Sequence, residues 1–500
     1  MVYSSFHGDA LGSRAWVMVC AGALGWGSTG VAATPTTFDL PANDLALDQP
    51  RVNLQVLDGL GSPIGPEWSQ SWLLDSGATG VFIAGGNSLD LSDPEIEDSF
   101  TNAYEELIIE GPVSVVGSVG EKGVGGVQQV EVTDAWTVRV DSGYGDRPAV
   151  PGVQMLANGD ADFGGFAGIA GMPFLLDRVV SLTMDHWEGG WDGSLDSFLM
   201  RTRFDTALPA ASNPRGRVSL PVAYKSFPYA PEETVLPTAG PLPFIDGGFS
   251  HAGNVVESDI LFDTGAQLSI ISSGVATGLG LGGVDAGTGE FVPSVEHDFI
   301  AISGVSGTVF APVLQFDGLT LPGDDDRALS FNGVTAIVLD IDPAIQAIIG
   351  SDFVTTGWVD EVFAEPGADP GLFDAVHMAF GPDTIPDGER AGSLVFDLNP
   401  AFIDPLGDLD GDGDVDVVDL DLFGTSLLSS GADLTGDLDG DGDVDVVDLD
   451  LFGTALLDAG ASSETLDAFA ALTSVPEPAS GVVLAVFGVF IGRRRRPGAG

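Results

Sequence analysis

Two short segments of this chain place an aspartate, a hydroxyl residue and a glycine directly after apolar residues. They read "LLDSGATG" at 73 to 80 and "LFDTGAQL" at 261 to 268. The residues in question are Asp75, Ser76 and Gly77 in the first segment and Asp263, Thr264 and Gly265 in the second. Two carboxylates held a few ångströms apart cannot both ionise cheaply, so they share one proton. The ionised member can take a proton from water while the protonated one polarises a carbonyl group. The pair therefore predicts hydrolysis by activated water, without a covalent intermediate.

The residues around each tripeptide distinguish these two copies from a chance occurrence of Asp-Ser/Thr-Gly. A third Asp-Ser-Gly occurs at Asp141, in "VDSGYG", but a polar turn follows it. After Gly77 and Gly265, by contrast, come an alanine and a short apolar run. The pattern predicts a buried strand that delivers each aspartate into a tight glycine turn, from which the chain leaves along another buried strand.

Each copy is followed, further along the chain, by an apolar run that ends in glycine. These runs lie in "FAGIAGMPFL" at 166 to 175 and in "AIIGSDFV" at 347 to 354. The four signals in this order resemble the pepsin-like aspartic peptidases. The resemblance implies a bilobal fold, with lobes at 36 to 215 and 216 to 400 that face each other across a cleft for a peptide or protein substrate.

The same resemblance assigns a role to each residue of the two copies. It implies that Asp75 and Asp263 are the catalytic dyad, one from each lobe. The hydroxyls of Ser76 and Thr264 would hold the turns, and the two glycines would let backbone amides approach the carboxylates. Two departures stand against the pattern. The glycine-rich segment 113 to 132, where a tyrosine-bearing flap is expected, has no tyrosine, although Tyr104 lies just upstream. Alanine also follows each glycine, as it does in retroviral-type aspartic peptidases.

Composition bounds the fold and excludes one class of partner. The 70 glycines and 31 prolines interrupt the chain too often for long helices, and alternating segments such as "VNLQVLD" predict strands. We therefore expect a mainly β fold with a small helical calcium-binding domain. With 74 acidic against 17 basic residues, the formal charge of -57 excludes nucleic acid as a partner, because no basic surface neutralises phosphates.

The segment 407 to 460 carries an exact repeat. "GDLDGDGDVDVVDLDLFGT" occurs at 407 to 425 and again at 436 to 454. Aspartates at positions 1, 3, 5, 9 and 12 of a twelve-residue loop, with a glycine at 6 and the carbonyl of position 7, suit calcium, a hard cation that binds oxygen ligands. The predicted ligands for two ions are Asp408, Asp410, Asp412, Asp414, Asp416 and Asp419, then Asp437, Asp439, Asp441, Asp443, Asp445 and Asp448. A solvated acidic linker is the alternative, but it does not explain why both copies have a glycine at position 6 and a valine at position 8.

One helix follows each loop, instead of the two helices of an EF-hand. Paired loop and helix units of this kind resemble a type I dockerin module, which implies binding to a cohesin-like partner protein. Positions 10 and 11, which often contact the partner in that family, are valines in both copies: Val417, Val418, Val446 and Val447. We expect either copy to present the same face.

Both ends of the chain resemble export signals. In residues 1 to 33, Arg14 precedes nineteen uncharged residues, Ala15 to Ala33, which end in small residues, as in a signal peptide cleaved by signal peptidase. Residues 475 to 500 give Val-Pro-Glu-Pro, fifteen uncharged residues from Pro478 to Gly492 and four arginines. This order resembles the PEP-CTERM sorting signal, which implies transient membrane insertion and cleavage by an exosortase. An ordinary C-terminal membrane helix is the alternative. The only cysteine, Cys20, lies in the segment that would be removed.

Together these features predict an exported aspartic endopeptidase, extracellular or on the surface or outer envelope of a bacterium. The alternative is a non-catalytic surface binding or matrix protein that retains the peptidase fold.

Overall fold

The chain is described here from a computed structural model. It describes residues 36–39, 48–65, 70–85, 103–124, 126–141, 145–161, 163, 166–183, 187–189, 196–198, 200–211, 216–227, 239–304, 307–324, 327–356, 371–399, 407–409, 415–428, 436–438, 444–458 and 461–473. The chain divides into two compact units, Met1–Ile403 and Asp404–Gly500. The predicted signal peptide and the sorting signal lie outside the described residues.

Strands dominate the first unit. In its N-terminal half they are β1 Thr36–Asp39, β2 Arg51–Leu57, β3 Pro63–Ile64, β4 Gln70–Leu74, β5 Val81–Ala84, β6 Val115–Gly123, β7 Gly126–Val140, β8 Ala149–Asn158, β9 Gly168–Ala170, β10 Arg178–Thr183, β11 Trp187–Gly189, β12 Asp196–Phe198 and β13 Arg201–Asp205. In its C-terminal half they are β14 Arg217–Lys225, β15 Leu242–His251, β16 Asn254–Phe262, β17 Ile270–Ile271, β18 Gly282–Val284, β19 Phe291–Pro293, β20 Asp298–Gly304, β21 Gly307–Pro322, β22 Ala328–Val338, β23 Ala347–Ile349, β24 Phe373–Phe380 and β25 Arg390–Leu398.

Helical segments are few and short in the first unit. They are a π-helical turn at Glu105–Ile109, a 3-10 turn at Met172–Phe174, α1 Ser273–Gly278 and α2 Ser351–Val354. The second unit contains α3 Val417–Ser426, α4 Val446–Asp458 and α5 Ser463–Thr473. The prediction of a mainly β fold is thus confirmed. The strands arise where apolar and polar residues alternate along the chain. In β14, for example, every second side chain from Val218 to Tyr224 is buried.

The two halves of the first unit repeat one sheet topology. In the N-terminal sheet the strand order is β3-β2-β4-β9-β5-β8-β7-β6, and β2 also pairs with β7. The larger sheet contains β15-β16-β23-β17-β22-β21-β20, and β15 also pairs with β21. Parallel pairs occur at equivalent places, β4 with β9 and β5 with β8 in one half, β16 with β23 and β17 with β22 in the other. The turn that follows β4 in one half therefore corresponds to the turn that follows β16 in the other.

The larger sheet continues beyond this repeat. From β15 its order runs through β14, β25, β24, β10 and β13, so that strands from both halves of the unit share it. One contiguous hydrophobic core joins residues of both sheets. Phe353 lies at the centre of an aromatic group within it, with ring centroids 4.5 Å from Phe331, 5.7 Å from Phe373 and 6.0 Å from Phe396. This shared core includes residues of β4 and β16, the strands that lead into the two aspartate turns.

The second unit has a small core of its own. One helix follows each acidic loop, as the repeat predicts. Helices α3 and α4 begin at position 10 of their loops, and α5 is an additional helix. The rings of Phe423 and Phe452 stack with centroids 4.6 Å apart, and Phe469 of α5 lies 6.2 Å from Phe452. Within the described part of the chain, no helix has the length and apolar character needed to cross a membrane.

Candidate active site

The two aspartates occupy equivalent turns in the repeated topology. Asp75 follows β4, and its amide donates to the carbonyl of Ala170 at 3.0 Å. Asp263 follows β16, and its amide donates to the carbonyl of Ile349 at 2.9 Å. The apolar runs that end in glycine, β9 and β23, are the strands that supply these carbonyls. Thus each sequence signal that follows an aspartate lies beside that aspartate in the fold.

The hydroxyls of Ser76 and Thr264 join the two turns to each other. Ser76 Oγ donates to the carbonyl of Phe262 at 2.7 Å, and Thr264 Oγ1 donates to the carbonyl of Leu74 at 2.7 Å. Each hydroxyl also accepts the backbone amide of the other residue, at 3.1 Å for Ser76 N and 3.0 Å for Thr264 N. We call this reciprocal set of four hydrogen bonds the hydroxyl clasp. It fixes the spacing of the two carboxyl groups.

Glycine is required in both turns because the opposing carboxyl group lies against it. A Cβ atom on Gly77 would lie 2.3 Å from Cγ of Asp263, and one on Gly265 would lie 2.4 Å from Cγ of Asp75. Each glycine amide also donates to the aspartate two residues before it, at 2.7 Å for Gly77 and 2.9 Å for Gly265. The amide of Ala266 donates to Asp263 Oδ1 at 3.2 Å.

The two carboxyl groups are half-buried and face each other across the two turns. Burial raises the pKa of Asp75 well above its usual value, and the negative charge of Asp263 raises it further. Burial also raises the pKa of Asp263, although hydrogen bonds from Asp75 and from the amides of Gly265 and Ala266 oppose the shift. The pair therefore holds one proton between two oxygens, because ionising both groups in this setting is costly.

The hairpin β6–β7 covers an apolar surface next to the first turn. Its side chains Val119 and Val130 pack in a cluster with Phe82 and Ile169, against which Ala78 also packs. At the tip, Lys122 Nζ lies 2.9 Å from Asp342 Oδ2 in the other half of the unit. The hairpin thus extends from one half of the unit to the other.

The described residues of this hairpin include no tyrosine, as the sequence indicates. The hydroxyl of Tyr104 donates to Glu131 Oε2 at 2.7 Å. Because Glu131 alternates with Val130 along β7, it lies on the opposite face of the hairpin from the apolar cluster. Burial and the hydrogen bond to Glu131 raise the pKa of Tyr104 to about 12. Tyr104 therefore braces the outer face of the hairpin.

A second buried polar cluster was not predicted from the sequence. The ring of His377 contacts two side chains: Nδ1 lies 2.7 Å from Ser181 Oγ, and Nε2 lies 3.0 Å from Asp397 Oδ2. Arg217 donates two hydrogen bonds to the carboxylate of Asp397, both at 2.6 Å. Burial raises the pKa of Asp397, but the hydrogen bonds from Arg217 and His377 outweigh it and hold the pKa below its usual value. Ser181 is 2% exposed in the sheet β10-β24-β25, so the cluster joins strands of both halves. No local motif marks these residues.

Asp141 lies apart from the two aspartate turns. Its carboxylate accepts from Gln55 Nε2 at 3.0 Å and from Arg147 Nη1 at 3.1 Å. Asp141 is therefore engaged in polar contacts at the end of β7.

Parts of the two acidic loops in the second unit are described. Asp419 is fully buried and accepts the amides of Leu409 and Asp416, at 2.5 and 2.8 Å. Asp448 repeats this arrangement with Leu438 and Asp445, at 2.6 and 2.7 Å. Each loop is thus closed by its position-12 carboxylate. The loop ends Asp408 and Asp437 are described, but the predicted ligands Asp410, Asp412, Asp414, Asp439, Asp441 and Asp443 lie outside the described residues. Over the part of the chain that the structure describes, no three His, Cys, Asp or Glu residues form a metal-binding group.

Comparison with known proteins does not assign the chain to a family. No family model matches it, and the search of curated proteins found no significant match.

Proposed function

We propose that this protein is an aspartic endopeptidase with a bilobal, pepsin-like body. One observation carries the proposal: the carboxyl groups of Asp75 and Asp263 face each other from equivalent turns of a repeated β topology and share a hydrogen bond. The hydroxyl clasp and the two glycines hold them there. Groups held in this way act as a coupled acid and base.

The chemistry follows from one proton shared by two carboxyl groups. The ionised carboxylate accepts a proton from water while the water oxygen bonds to the peptide carbonyl carbon. The neutral carboxyl group donates its proton to the carbonyl oxygen in the same step. The resulting diol then breaks its bond to nitrogen, which takes a proton from one carboxyl group while a diol hydroxyl returns a proton to the other. The dyad ends with the single proton it had at the start.

Hydrolysis of an unstructured protein substrate between pH 3 and 7, with and without pepstatin, tests the proposal. We expect hydrolysis that pepstatin inhibits. Asp75→Asn and Asp263→Asn should each abolish it and leave the fold intact, because the mechanism needs both members. Asp141→Asn is the matched control and should retain full activity. Comparable activity in either dyad variant would contradict the assignment.

The alternative is a non-catalytic surface binding or matrix protein with the same fold. The absence of a tyrosine from the described residues of the β6–β7 hairpin supports it. Peptide binding without hydrolysis, by a protein with both aspartates intact, would favour this alternative.

For the second unit we infer a dockerin-like calcium module with two ions and a cohesin-like partner. The donor set is composed of oxygen atoms, and Asp419 and Asp448 are buried carboxylates without a basic residue in their loops, so the residues present fit calcium. The exposed valines 417, 418, 446 and 447 give each copy the same apolar face. Calcium-dependent capture of a cohesin by the full chain, abolished by a chelator, tests the partner assignment.

Export and sorting complete the proposal. Signal peptidase would cleave after residue 33, and an exosortase would cleave near the Pro-Glu-Pro at 476 to 478 after transient membrane insertion. The intact mass of the protein recovered from the envelope or medium of its bacterial host tests both cleavages. A mass that retains either end would contradict the corresponding step.

A further inference from the structure

Glu121, near the tip of the β6–β7 hairpin, is half-buried, and one oxygen of its carboxyl group is buried without a hydrogen-bond partner among the described residues. Among the described residues, nothing within hydrogen-bonding distance satisfies its Oε2 atom, which has almost no contact with solvent. Burial raises the pKa of Glu121 to about 8, and no neighbouring charge contributes. An unpaired carboxyl group in such a setting destabilises the protein, so its retention needs an explanation.

The register of the hairpin shows which way Glu121 faces. Glu121 pairs with Gln128, and Val119 pairs with Val130. Residues two apart on a strand share a face, so Glu121 lies on the same face as Val119. That face packs on the apolar cluster which Ala78 joins, three residues from Asp75. Glu121 therefore lies on the cleft side of the hairpin.

The neighbouring residue fixes the tip between the two halves of the unit. Lys122 points to the opposite face and forms its ion pair with Asp342. Glu121 is thus held at the point where a chain lying in the cleft would pass beneath the hairpin. The face that Glu121 shares with Val119 is an apolar surface with one carboxyl group at its end. Such a surface suits a long cationic side chain, because lysine and arginine place their carbon chains on apolar surface and their charge at its end.

We propose that Glu121 determines substrate specificity by pairing with a lysine or arginine side chain of the peptide bound in the cleft. The inference rests on the proposed peptidase function. Entry of the cationic side chain supplies the missing partner and favours the ionised carboxylate. The net charge of -57 acts in the same sense by attracting basic peptides, but that field does not distinguish one position of the peptide from another.

Matched octapeptide sets test the proposal. In each set one position is either lysine or norleucine, and the remaining positions are mixtures of uncharged residues. Relative kcat/KM values are measured by mass spectrometry at mildly acidic pH in 0.5 M salt, which screens the long-range field. We expect the wild type to prefer lysine at one position by about 10- to 100-fold, and Glu121→Gln to lose that preference.

Glu131→Gln is the matched control. It removes one carboxylate from the same hairpin, on the opposite face, so the preference for lysine should remain. Because Oε2 of the Glu121 side chain has no hydrogen-bond partner among the described residues, and the backbone pairing with Gln128 is unaffected, Glu121→Gln should fold normally. Glutamine keeps a carbonyl oxygen that can accept a hydrogen bond from lysine but carries no charge, so an unchanged preference in Glu121→Gln would show that the negative charge is not required and would overturn the proposal. Absence of any positional preference would also overturn it.

A binding experiment separates this inference from the proposed function. Fluorescein-labelled lysine and norleucine peptides are titrated into Asp75→Asn and into Asp75→Asn/Glu121→Gln. A preference for lysine that disappears in the double variant supports the role of Glu121 even if the wild type hydrolyses nothing. Equal binding of both peptides by Asp75→Asn overturns it even if the wild type is an active peptidase.

Discussion

Ser76 and Thr264 are 188 residues apart, yet each accepts the backbone amide of the other. Each hydroxyl also donates to the carbonyl that precedes the other's aspartate, and both side chains are fully buried. The hydroxyl clasp therefore links the positions of Asp75 and Asp263 directly. Its hydrogen bonds are intramolecular and do not depend on substrate.

Loss of the clasp should reduce stability. Ser76→Ala and Thr264→Val each leave a buried carbonyl and a buried amide unsatisfied, which costs about 2 to 4 kcal/mol of unfolding free energy. The double variant should cost less than the sum, because the turns relax once one side is lost. Urea unfolding of the wild type, the two single variants and the double variant measures the coupling free energy between the two hydroxyls. Ser71→Ala is the control, since Ser71 Oγ is buried without a partner among the described residues. Strict additivity would show that the two hydroxyls act independently.

A methyl group on either glycine should separate the dyad. Gly77→Ala places Cβ against the carboxyl group of Asp263, so one of the two must move. Because a displacement of about 1 Å costs roughly 100-fold in rate, we expect kcat/KM to fall at least that much while the circular dichroism spectrum is retained. Gly59→Ala, where a Cβ has open space, should be neutral. Wild-type kinetics in Gly77→Ala would show that the carboxyl groups are not in contact.

The half-buried Asp352 should make stability depend on pH. Burial raises its pKa to about 6, although the amide and hydroxyl of Ser269 donate to it at 2.8 and 3.0 Å. The folded state then binds more protons than the unfolded state between about pH 4 and 6. Its contribution is full below the unfolded pKa and is lost as pH rises through the folded pKa.

Asp352→Asn isolates this contribution. Asp75, Asp263 and Glu121 have raised pKa values as well, so the wild-type curve alone does not isolate Asp352. From pH 4.5 to 8 the variant should gain, relative to wild type, up to about 3 kcal/mol in unfolding free energy. Urea unfolding at several pH values measures the difference. Parallel wild-type and variant curves would contradict the raised pKa of Asp352.

The alanines that follow the two glycines should set the pH range of activity. A hydroxyl at either position can donate to the neighbouring carboxylate, which favours its ionised form and lowers its pKa. Without these donors, activity should peak at mildly acidic pH. Ala78→Ser and Ala266→Thr together should shift the acid limb of the pH-rate profile downward by about 0.5 to 1 unit. An acid limb that stays in place in an active double variant would show that these positions do not control the dyad.

Calcium removal should loosen the second unit. Asp419 and Asp448 are buried, and the acidic loops repel themselves without a cation. Each ion at a hundredfold excess over its Kd adds about 3 kcal/mol. In the full chain, a chelator should abolish hydrogen-exchange protection in α3 and α4. Asp419→Asn should weaken binding, whereas Asp421→Asn, on the exposed side of α3, should not. Protection that is unchanged by the chelator would exclude a structural calcium role.

The sequence by itself determined the features that depend on neighbouring residues. Alternating side chains gave the strands, and glycine after each aspartate gave the turns, because backbone conformation responds to local residue types. The acidic repeat likewise predicted one helix after each loop, and in the structure Asp416 at position 9 caps α3.

Only the tertiary structure decided which distant residues meet. Ser181 and His377 are 196 residues apart, and Lys122 and Asp342 are 220 apart. Their contacts depend on sheet order and strand register, which many sequences satisfy and no short motif encodes. The same holds for Glu121: a shift of one residue in the register of β6 would turn its carboxyl group to the opposite face of the hairpin. Short-range preferences thus fixed the elements, whereas long-range pairing fixed the chemical surroundings of each side chain.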